Sequence, residues 1–452
     1  MKYGRPESRS LRGCEMEKIL VINYYWPPSG GPAVQRWLSF VKRLPEFDIE
    51  PVVLTVDEKF ATYPVLDETL VKEVPTGTQV HKTKTKELYW LYKRSVGRGK
   101  VPTAAFANES KPGPLKKIAR FIRGNFFIPD PRKPWKKYAL PTAIALMRDQ
   151  NIKVFATAGP PHSTHLIGLQ LQKETGTRWI ADIHDAWTDI SYYKEFMQLP
   201  FARKKDARYE LSVLENADAV LTLGPRLARK LASKSSKIDP NKIHVISMGY
   251  DENLFENKSV ETQTDRFIIT YVGTMADFYK PEVFLDALRA FFEKNPDAPC
   301  LMRFVGMVSN GVKDYISEIG IEDKVEYIPF VPHKKSVAYL HNASVLLQVN
   351  PHFEGEERHI PGKIYEYLAA RKPIINIAPA DSDVAEIVAN CESGKTFERT
   401  DEVDISAYLN ELYNLWARNK QLDLQSRNNS AYTQYSRHNE TMKLGKIIHG
   451  LL

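Results

Sequence analysis

The sequence predicts an α/β fold in which two domains, each built on a parallel β-sheet covered by helices, face each other across a cleft. Three observations support this fold class. The chain has 452 residues, which is enough for two or three domains of ordinary size. Short β-branched runs alternate with segments long enough for a helix, as in parallel sheets. After a polar spacer at 257–265, the same alternation starts again near residue 266.

Taken in chain order, the apolar runs give the expected strands of each domain. In the first domain they lie at 18–24, 51–56, 153–158, 178–183, 218–223 and 242–247. In the second domain they lie at 266–273, 301–306, 324–329, 344–349 and 372–378. We therefore predict a disordered tail at 1–17, a first domain at 18–262, a second domain at 263–425 and a terminal helix at 426–452.

The composition excludes several classes of protein. Hydrophobic residues make up 43% of the chain and charged residues 26%, which is ordinary for a globular protein. No run of about eighteen apolar residues predicts a transmembrane helix. The polar N-terminus lacks the apolar segment of an export signal, so we expect a cytoplasmic location. Cys14, Cys300 and Cys391 are too few for a disulfide framework and have no metal-like spacing, so we expect no metal site.

A strongly basic segment lies at 93–137. The net charge of the chain is +8, and the many Lys and Arg residues of this segment face only Glu109 and Asp130. At 115–127 apolar residues recur among the cations at near-helical spacing, as in a helix that lies on an anionic membrane surface. An ordinary helix whose apolar face packs on its own domain fits equally well. Nucleic acid is the other candidate polyanion, but no nucleic-acid-reading motif is present, so we expect no such partner.

A pair of glycines follows the first expected strand. Gly30 and Gly31 precede a helix that Pro32 can start at its first turn. Backbone N–H groups at a helix start without side chains in front of them suit a phosphate. A tight turn after a strand would show the same pair. We include both glycines among the candidate donor-binding residues.

A group of polar and aromatic residues follows two neighbouring strands of the first domain. His162 comes after the run 153–158, while Asp182, His184, Asp185 and Trp187 end or follow the run 178–183. The carboxyl ends of parallel strands share one edge of a sheet, where α/β proteins bind ligands. Carboxylates accept hydrogen bonds from sugar hydroxyls, and an indole covers sugar C–H surfaces. The group therefore favours sugar recognition over a structural role.

The second domain carries a glycine and a lysine at a predicted helix start. Gly273 and Thr274 follow its first strand, and Gly362 and Lys363 open a later helix. Backbone N–H groups and an ammonium at a helix start suit a diphosphate. Glu366, one turn further on the same face, is placed to accept from both ribose hydroxyls. A salt bridge between Lys363 and Glu366 is the alternative that the spacing leaves open.

These segments resemble the successive blocks of glycosyltransferase family 4 and its relatives in the GT-B superfamily. The resemblance spans the chain from residue 18 to its C-terminus and rests on YYWPPSGGPAVQRW, GPPHSTHLIG, WIADIHDAWTD, ISMGYDENLF and PGKIYEYLAARKPI. It implies two Rossmann-like domains in the GT-B fold, with the donor nucleotide on the C-terminal domain and the acceptor on the N-terminal domain. It also implies retaining transfer without a metal ion, and a final helix that crosses back to the first domain.

The resemblance also implies roles for single residues. Glu366 would hold the donor ribose and Lys363 the diphosphate, while Gly31 would lie in the phosphate-facing loop. The catalytic candidates are His162, which would face the transferred sugar, and Asp185, which would face the acceptor. The full donor-binding set is Gly30, Gly31, Gly273, Thr274, Arg358, Gly362, Lys363, Ile364 and Glu366. The acceptor-binding set is Asp182, Asp185 and Trp187.

Two positions depart from the family pattern. The family often has an Arg directly after the V-G of the second domain's first strand, and a Glu eight residues before the ribose-binding Glu. Here these positions hold Thr274 and Arg358. A related branch of the family also lacks the earlier glutamate, so we interpret the site as a variant donor site. On charge alone, Arg358 or Lys280 is expected to supply the missing cation.

The function hypothesis is a glycosyltransferase that moves a sugar from a UDP- or GDP-linked donor, without a cofactor, to a glycan or lipid-linked acceptor in cell-surface polysaccharide biosynthesis. Lys363 and helix dipoles would stabilise the departing diphosphate while the acceptor attacks the same face of the sugar. From the basic segment we also predict that the protein is peripheral at the inner face of the plasma membrane. Two alternatives stay open, a sugar-nucleotide 2-epimerase of the same architecture and a catalytically silent nucleotide-sugar-binding scaffold.

Overall fold

The computed structural model describes residues 16–87, 113–255, 265–419, 422 and 430–452. Several predictions concern residues outside these ranges. They are most of the tail at 1–17, Cys14, the part of the basic segment before residue 113, nearly all of the spacer at 257–265 and the boundaries near 262 and 425. Cys300 and Cys391 are both free and buried.

The first sheet has seven strands, all parallel, in the order β3-β2-β1-β4-β5-β6-β7. The strands are Glu17–Asn23 (β1), Ile49–Val56 (β2), Gln79–Thr83 (β3), Val154–Gly159 (β4), Arg178–Ile183 (β5), Ala219–Thr222 (β6) and Ile243–Val245 (β7). The helices of this part are Pro32–Arg43 (α1), Pro114–Phe126 (α2), Lys136–Asp149 (α3), Ser163–Thr175 (α4), Pro200–Asn216 (α5), Pro225–Ala232 (α6) and Glu252–Phe255 (α7).

The second sheet has six strands, again parallel, in the order β10-β9-β8-β11-β12-β13. The strands are Phe267–Val272 (β8), Cys300–Val305 (β9), Val325–Ile328 (β10), Val345–Val349 (β11), Ile374–Ile377 (β12) and Gly394–Phe397 (β13). The helices are Glu282–Lys294 (α8), Asn310–Glu318 (α9), His333–His341 (α10), Lys363–Ala370 (α11), Asp383–Asn390 (α12) and Glu402–Asn419 (α13).

Both sheets are buried on two faces, which explains why their strands read as continuous apolar runs. Along β1, Ile19 and Val21 pack in one cluster with Trp37 of α1. Because side chains alternate along a strand, Leu20 and Ile22 pack in a second cluster on the opposite face. The two-domain α/β fold class predicted from the sequence is confirmed. Each predicted run contains a strand, and the sequence analysis missed only the edge strands β3 and β13.

The last helix, Arg437–Leu451 (α14), packs on the first domain. Leu444 and Ile448 lie in the same buried cluster as Trp37 of α1. Glu440 accepts hydrogen bonds from the backbone N–H and the hydroxyl of Ser247, at 2.9 and 2.8 Å. The chain therefore returns to its first domain after completing the second.

Each sheet reverses its strand order next to its first strand, between β1 and β4 and between β8 and β11. Ligands of open α/β sheets bind beyond the carboxyl ends of the strands at such reversals. Among the candidate site residues, His162 follows β4 and Gly273 follows β8. None of the described helices is both long enough and apolar enough to cross a bilayer.

Candidate functional site

Lys363 holds a buried ammonium at the first residue of α11. Its Nζ makes no hydrogen bond to any described residue. It lies 3.7 Å from the ring centroid of Tyr271, and a Cβ at Gly273 would lie 3.3 Å from it. Burial lowers the pKa of Lys363 from its ordinary 10.5 to about 7. A buried cation without a partner is costly, and such groups mark sites that bind an opposite charge.

The backbone around Lys363 leaves room for a ligand. Gly273 has a φ of 120°, which favours glycine, and its N–H donates to the carbonyl of Val305 at 2.8 Å. Gly362 is exposed, and a Cβ there would meet nothing within 4 Å. The structure therefore brings the predicted Gly273, Gly362 and Lys363 together at the carboxyl end of β8.

Ile364 does not fit the direct donor contact that we predicted. Its side chain is fully buried, and its N–H donates to the carbonyl of Pro361 at 3.0 Å. We correct its role to packing α11 against the domain.

Glu366 pairs with a residue that the sequence analysis missed. Its Oε1 lies 2.5 Å from Nε2 of His333, the first residue of α10. This hydrogen bond raises the pKa of His333 above its ordinary 6.5. The salt bridge between Lys363 and Glu366 that the spacing left open is absent from the described contacts. No sequence spacing links positions 333 and 366, so only the fold could reveal the pair.

The proposed replacement cations lie in contacts of their own. Nη1 of Arg358 lies 3.5 Å from Oε1 of Glu357, and Nζ of Lys280 lies 4.0 Å from Oε1 of Glu282. Thr274 is exposed, and its carbonyl accepts a hydrogen bond from the Tyr271 hydroxyl at 2.7 Å. No described contact joins either cation to Lys363, so their role in donor binding stays a prediction.

A buried ion pair fixes the loop that precedes α11. Arg399 donates to Oε1 of Glu356 at 3.1 Å and to the carbonyl of Asn350 at 2.8 Å, and its Nη2 lies 2.9 Å from Oε2 of Glu356 in the same ion pair. His352 lies 2.8 Å from the same carboxylate. Bidentate pairs of this kind fix geometry as well as charge. The loop is thus held in place next to Lys363.

In the first domain, Asp182 is the centre of a buried network. Its carboxylate accepts hydrogen bonds from Arg36 at 3.2 and 3.3 Å, from Trp37 at 2.7 Å and from His184 at 2.9 Å. Burial by itself would raise the pKa of Asp182, but the guanidinium of Arg36 and the hydrogen bonds from His184 and Arg36 hold it well below its usual range. The side chain is fully buried. We therefore correct its predicted acceptor contact to a role in joining α1 to β5.

Trp187 is also a supporting residue. It is fully buried, and its indole N–H donates to Asp206 at 2.9 Å. Its ring stacks on His162 with centroids 4.4 Å apart and an interplanar angle of 8°. The predicted direct acceptor contact of Trp187 is corrected accordingly, because the indole packs behind the imidazole.

His162 and Asp185 keep unsatisfied polar atoms. His162 is 7% exposed, and its Nδ1 has no hydrogen-bond partner among the described residues. Burial is the main reason that its pKa lies well below 6.5, so the imidazole is neutral. Asp185 is half-buried, and its carboxylate forms none of the described side-chain hydrogen bonds. Burial raises the pKa of Asp185 above its ordinary 3.8. Both groups are therefore available to a ligand.

The glycine pair lies at the start of α1. Gly31 has a φ of 115°, and a Cβ there would meet nothing within 4 Å. A Cβ at Gly30 would lie 3.1 Å from side-chain atoms of Val65 and Asp67. No described contact brings either glycine to Lys363, so their phosphate role stays a prediction.

The two groups of candidate residues lie on either side of one junction between the domains. Arg226 Nη1 of α6 lies 2.9 Å from Oδ1 of Asp383 of α12, and Lys194 pairs with Glu354. A Cβ at Gly224 would lie 2.7 Å from Ile360 in the loop before α11. The loop that leads into α11 and Lys363 thus contacts the domain that contains His162 and Asp185.

Two parallel-sheet domains joined in this way, with a last helix that returns to the first domain, define the GT-B class of glycosyltransferase folds. A family model described as Glycosyltransferase Family 4 matches residues 100–254. A second model, described as Glycosyl transferases group 1, matches residues 253–429. The chain is a family 4-like glycosyltransferase of the GT-B superfamily, as its motifs indicate. No curated protein matches the sequence.

Several solved structures share the fold over nearly the whole chain. HepE from Anabaena in complex with UDP has a TM-score of 0.60 at 13% identity and covers 96% of this chain and 100% of that chain. Sucrose-phosphate synthase from Thermosynechococcus elongatus has a TM-score of 0.58 at 15% identity, covering 96% and 99%. The lipopolysaccharide outer core galactosyltransferase WaaB has a TM-score of 0.58 at 12% identity, covering 96% and 100%. At such low identities these likenesses show the fold alone.

Proposed function

We propose that the protein moves a sugar from a nucleotide-sugar donor, UDP- or GDP-linked, to a glycan or lipid-linked acceptor with retention and without a metal ion or other cofactor. The observation that carries this proposal is the buried ammonium of Lys363 at the start of α11, which makes no hydrogen bond to any described residue. A diphosphate would supply the missing negative charge, and the helix N-terminus would add its dipole.

Donor binding can be assigned to the second domain in two parts. The diphosphate would lie between Lys363 and Gly273, whose lack of a Cβ leaves the approach to the ammonium open. The ribose hydroxyls would donate to Glu366, which keeps one carboxylate oxygen outside its bond to His333. UDP bound to the similarly folded HepE is consistent with this class of ligand.

Transfer would then take place at the junction. The departing diphosphate develops negative charge, which Lys363 stabilises most in the transition state. The acceptor hydroxyl would attack the same face of the sugar, with a phosphate oxygen taking its proton. His162 and Asp185 belong to the other domain, and their free Nδ1 and carboxylate would position the sugar and the acceptor.

The first experiment is a thermal-shift screen against UDP, GDP and their common sugar conjugates, with EDTA present. We expect one nucleotide family to raise the melting temperature, and the shift to be lost in Glu366→Ala and in Lys363→Met. Glu411→Ala is a matched control, because Glu411 lies on α13 and pairs only with Lys395 at the surface. The absence of a shift with every nucleotide would contradict the assigned donor site.

A second experiment separates the reaction types. Incubation of the donor with acceptor extracts, followed by NMR of the anomeric proton, should show a product with the donor's anomeric configuration. Epimerised donor formed without acceptor would establish the 2-epimerase instead. Tight nucleotide binding with neither transfer nor slow donor hydrolysis would establish a silent scaffold.

The same proposal includes a cytoplasmic protein that is peripheral at the inner face of the plasma membrane and serves cell-surface polysaccharide biosynthesis. Its support is the basic character of residues 93–137 together with a lipid-linked acceptor. Fractionation of cells expressing the tagged protein, with a salt wash of the membrane pellet, tests this location. A protein that stays in the supernatant at low salt would contradict it.

A further inference from the structure

Helix α2 turns three large apolar side chains away from the protein. Ile118, Ile122 and Phe126, spaced four residues apart on one face, are 56%, 44% and 70% exposed. The opposite face, which packs on the domain, carries Arg120 and Asn125, which are 4% and 1% exposed. The sequence left open an ordinary helix whose apolar face packs on its own domain. In the structure, Ile118, Ile122 and Phe126 instead face outward. Large apolar side chains that are exposed together mark an interaction surface.

A second segment, 75 residues further along the chain, adds to the same surface. Met197, Leu199 and Phe201 are 45%, 41% and 54% exposed. Asn125 ties this segment to the end of α2, because its amide donates to the carbonyl of Met197 at 3.3 Å and accepts from the N–H of Leu199 at 2.7 Å. Gly124 allows the close approach, since a Cβ there would lie 2.5 Å from Cβ of Phe196.

Exposed cations flank these apolar residues. Lys204, Lys205 and Arg208 lie three, four and seven residues after Phe201 on α5, and therefore on the same helix face. Lys117 is exposed on α2 next to Ile118. None of these four cations forms an ion pair with a described residue. The acids nearest in sequence are already engaged, since Glu195 pairs with Arg120 and the buried Asp206 accepts from Trp187.

We propose that this surface, formed by Ile118, Ile122, Phe126, Met197, Leu199 and Phe201 with its four flanking cations, docks on an anionic phospholipid bilayer. Apolar side chains would enter the boundary between headgroups and acyl chains, while the cations stay at the level of the phosphates. A protein partner would need its own acidic rim, whereas a bilayer of anionic lipid matches both the apolar centre and the cationic edge. Charge complementarity therefore favours the bilayer.

The proposed surface belongs to the domain that holds His162 and Asp185. The 3-10 turn Ser191–Phe196 connects the loop of Trp187 to Met197, so the surface and the expected acceptor side lie on one continuous segment. Docking would present the first domain to an acceptor that is itself anchored in lipid. The surface is independent of Lys363 and Glu366, so its test does not depend on donor binding.

The test is co-sedimentation of the full chain with phosphatidylcholine vesicles, with and without phosphatidylglycerol, at low and high salt. We expect binding only when phosphatidylglycerol is present, and weaker binding at high salt. Ile118→Ser with Ile122→Ser should weaken it roughly tenfold or more, because two apolar side chains no longer leave water. Lys204→Glu with Lys205→Glu should weaken it and remove most of the salt dependence.

The matched control is Val403→Ser with Leu415→Ser, which removes two exposed apolar side chains from α13 of the second domain. This variant should bind vesicles like the natural sequence. Circular dichroism and the nucleotide thermal shift of each variant report folding and donor binding separately from membrane binding. Vesicle binding that is absent, or unchanged in the α2 variant, would overturn the proposal. A dimer in solution that Ile118→Ser with Ile122→Ser dissociates would also overturn it, in favour of a second copy of the chain.

Discussion

Lys363 is held where its own charge is disfavoured. Its ammonium lies over the Tyr271 ring with no hydrogen-bond acceptor among the described residues, and burial lowers its pKa to about 7. The unfolded chain holds this proton up to a pKa near 10.5. The folded protein therefore carries a penalty for the charged form below about pH 10, which the diphosphate of the proposed donor would offset.

This site predicts a donor affinity that depends on pH. Below about pH 7 Lys363 is charged and ready for the diphosphate, while above it each binding event must first take up a proton. Affinity for a nucleotide-sugar, whose own phosphates do not titrate in this range, should fall as the pH rises through 7. Calorimetry in two buffers of different ionisation enthalpy should show proton uptake on binding at about pH 8.

Lys363→Met gives the control for that prediction. The variant should bind the donor ~10–100-fold more weakly at low pH, as expected from the loss of a hydrogen bond to a charged group, about 1.5–3 kcal/mol. It should also lose the pH dependence and melt at a higher temperature, because the buried charge is gone. An unchanged pH profile in Lys363→Met would assign the titration to another group.

His333 predicts a second titration at the same site. Its hydrogen bond to Glu366 raises its pKa. Two smaller effects are the charge of Arg437, which lowers the pKa, and the charge of Asp251, which raises it. The charged His333 and Glu366 pair therefore forms below this raised pKa and is lost as the pH rises through it. In Glu366→Gln the pKa of His333, measured by NMR of its ring protons, should move down toward 6.5. A pKa that stays where it is would show that the bond to Glu366 does not form in solution.

At the scale of elements, most strands could be predicted from the sequence. Whether a side chain at the end of a strand is buried or free could not. Runs such as 153–158 are mostly apolar because both faces of the sheet are covered. The edge strands β3 and β13 each contain a single large apolar residue, Val80 and Phe397, so they lack that signal. Asp182 and Asp185 both stand at the end of β5, yet one is buried beneath Arg36 and the other is free. Only the packing of α1 across the sheet separates them.

The sequence predicted α2 as a helix, but it did not show which face of the helix packs on the protein. Its spacing of apolar residues is helical in either case, and an apolar face normally turns inward. Here the small Gly124 and the hydrogen bonds of Asn125 dock the helix through its polar side. Sequence periodicity carries no information about contacts made 75 residues away.

The two aspartates after β5 give an element-scale prediction with its own control. Asp182→Ala leaves Arg36 buried without its partner and should lower the free energy of unfolding by about 3–5 kcal/mol. Asp185→Ala removes a carboxylate with no described hydrogen bond, so it should change stability by less than about 1 kcal/mol and lower transfer to the acceptor. Urea unfolding of both variants, with an activity assay of the second, distinguishes these roles. Equal losses of stability would contradict the assignment of Asp182 to the scaffold.

At the scale of the whole molecule, the residues of the proposed site are divided between two domains. The proposed donor residues Lys363 and Glu366 lie on the second domain, and His162 and Asp185 lie on the first. Asp383 of α12 is fully shielded and accepts from both the guanidinium and the backbone N–H of Arg226 at the start of α6. Glu386 contacts the same guanidinium at 2.9 Å. These contacts join the two domains at the junction described above.

The junction predicts a variant that separates donor binding from transfer. Arg226→Ala removes charge-assisted hydrogen bonds worth about 1.5–3 kcal/mol, so the two domains should spend more time apart. The radius of gyration in small-angle X-ray scattering should rise, and kcat should fall by roughly tenfold or more. The donor thermal shift should persist, because Lys363 and Glu366, to which we assign the diphosphate and the ribose, both lie on the second domain. Arg229→Ala, an exposed arginine of the same helix with no described ion pair, should leave all three measurements unchanged. A loss of donor binding in Arg226→Ala would mean that the first domain completes the nucleotide site.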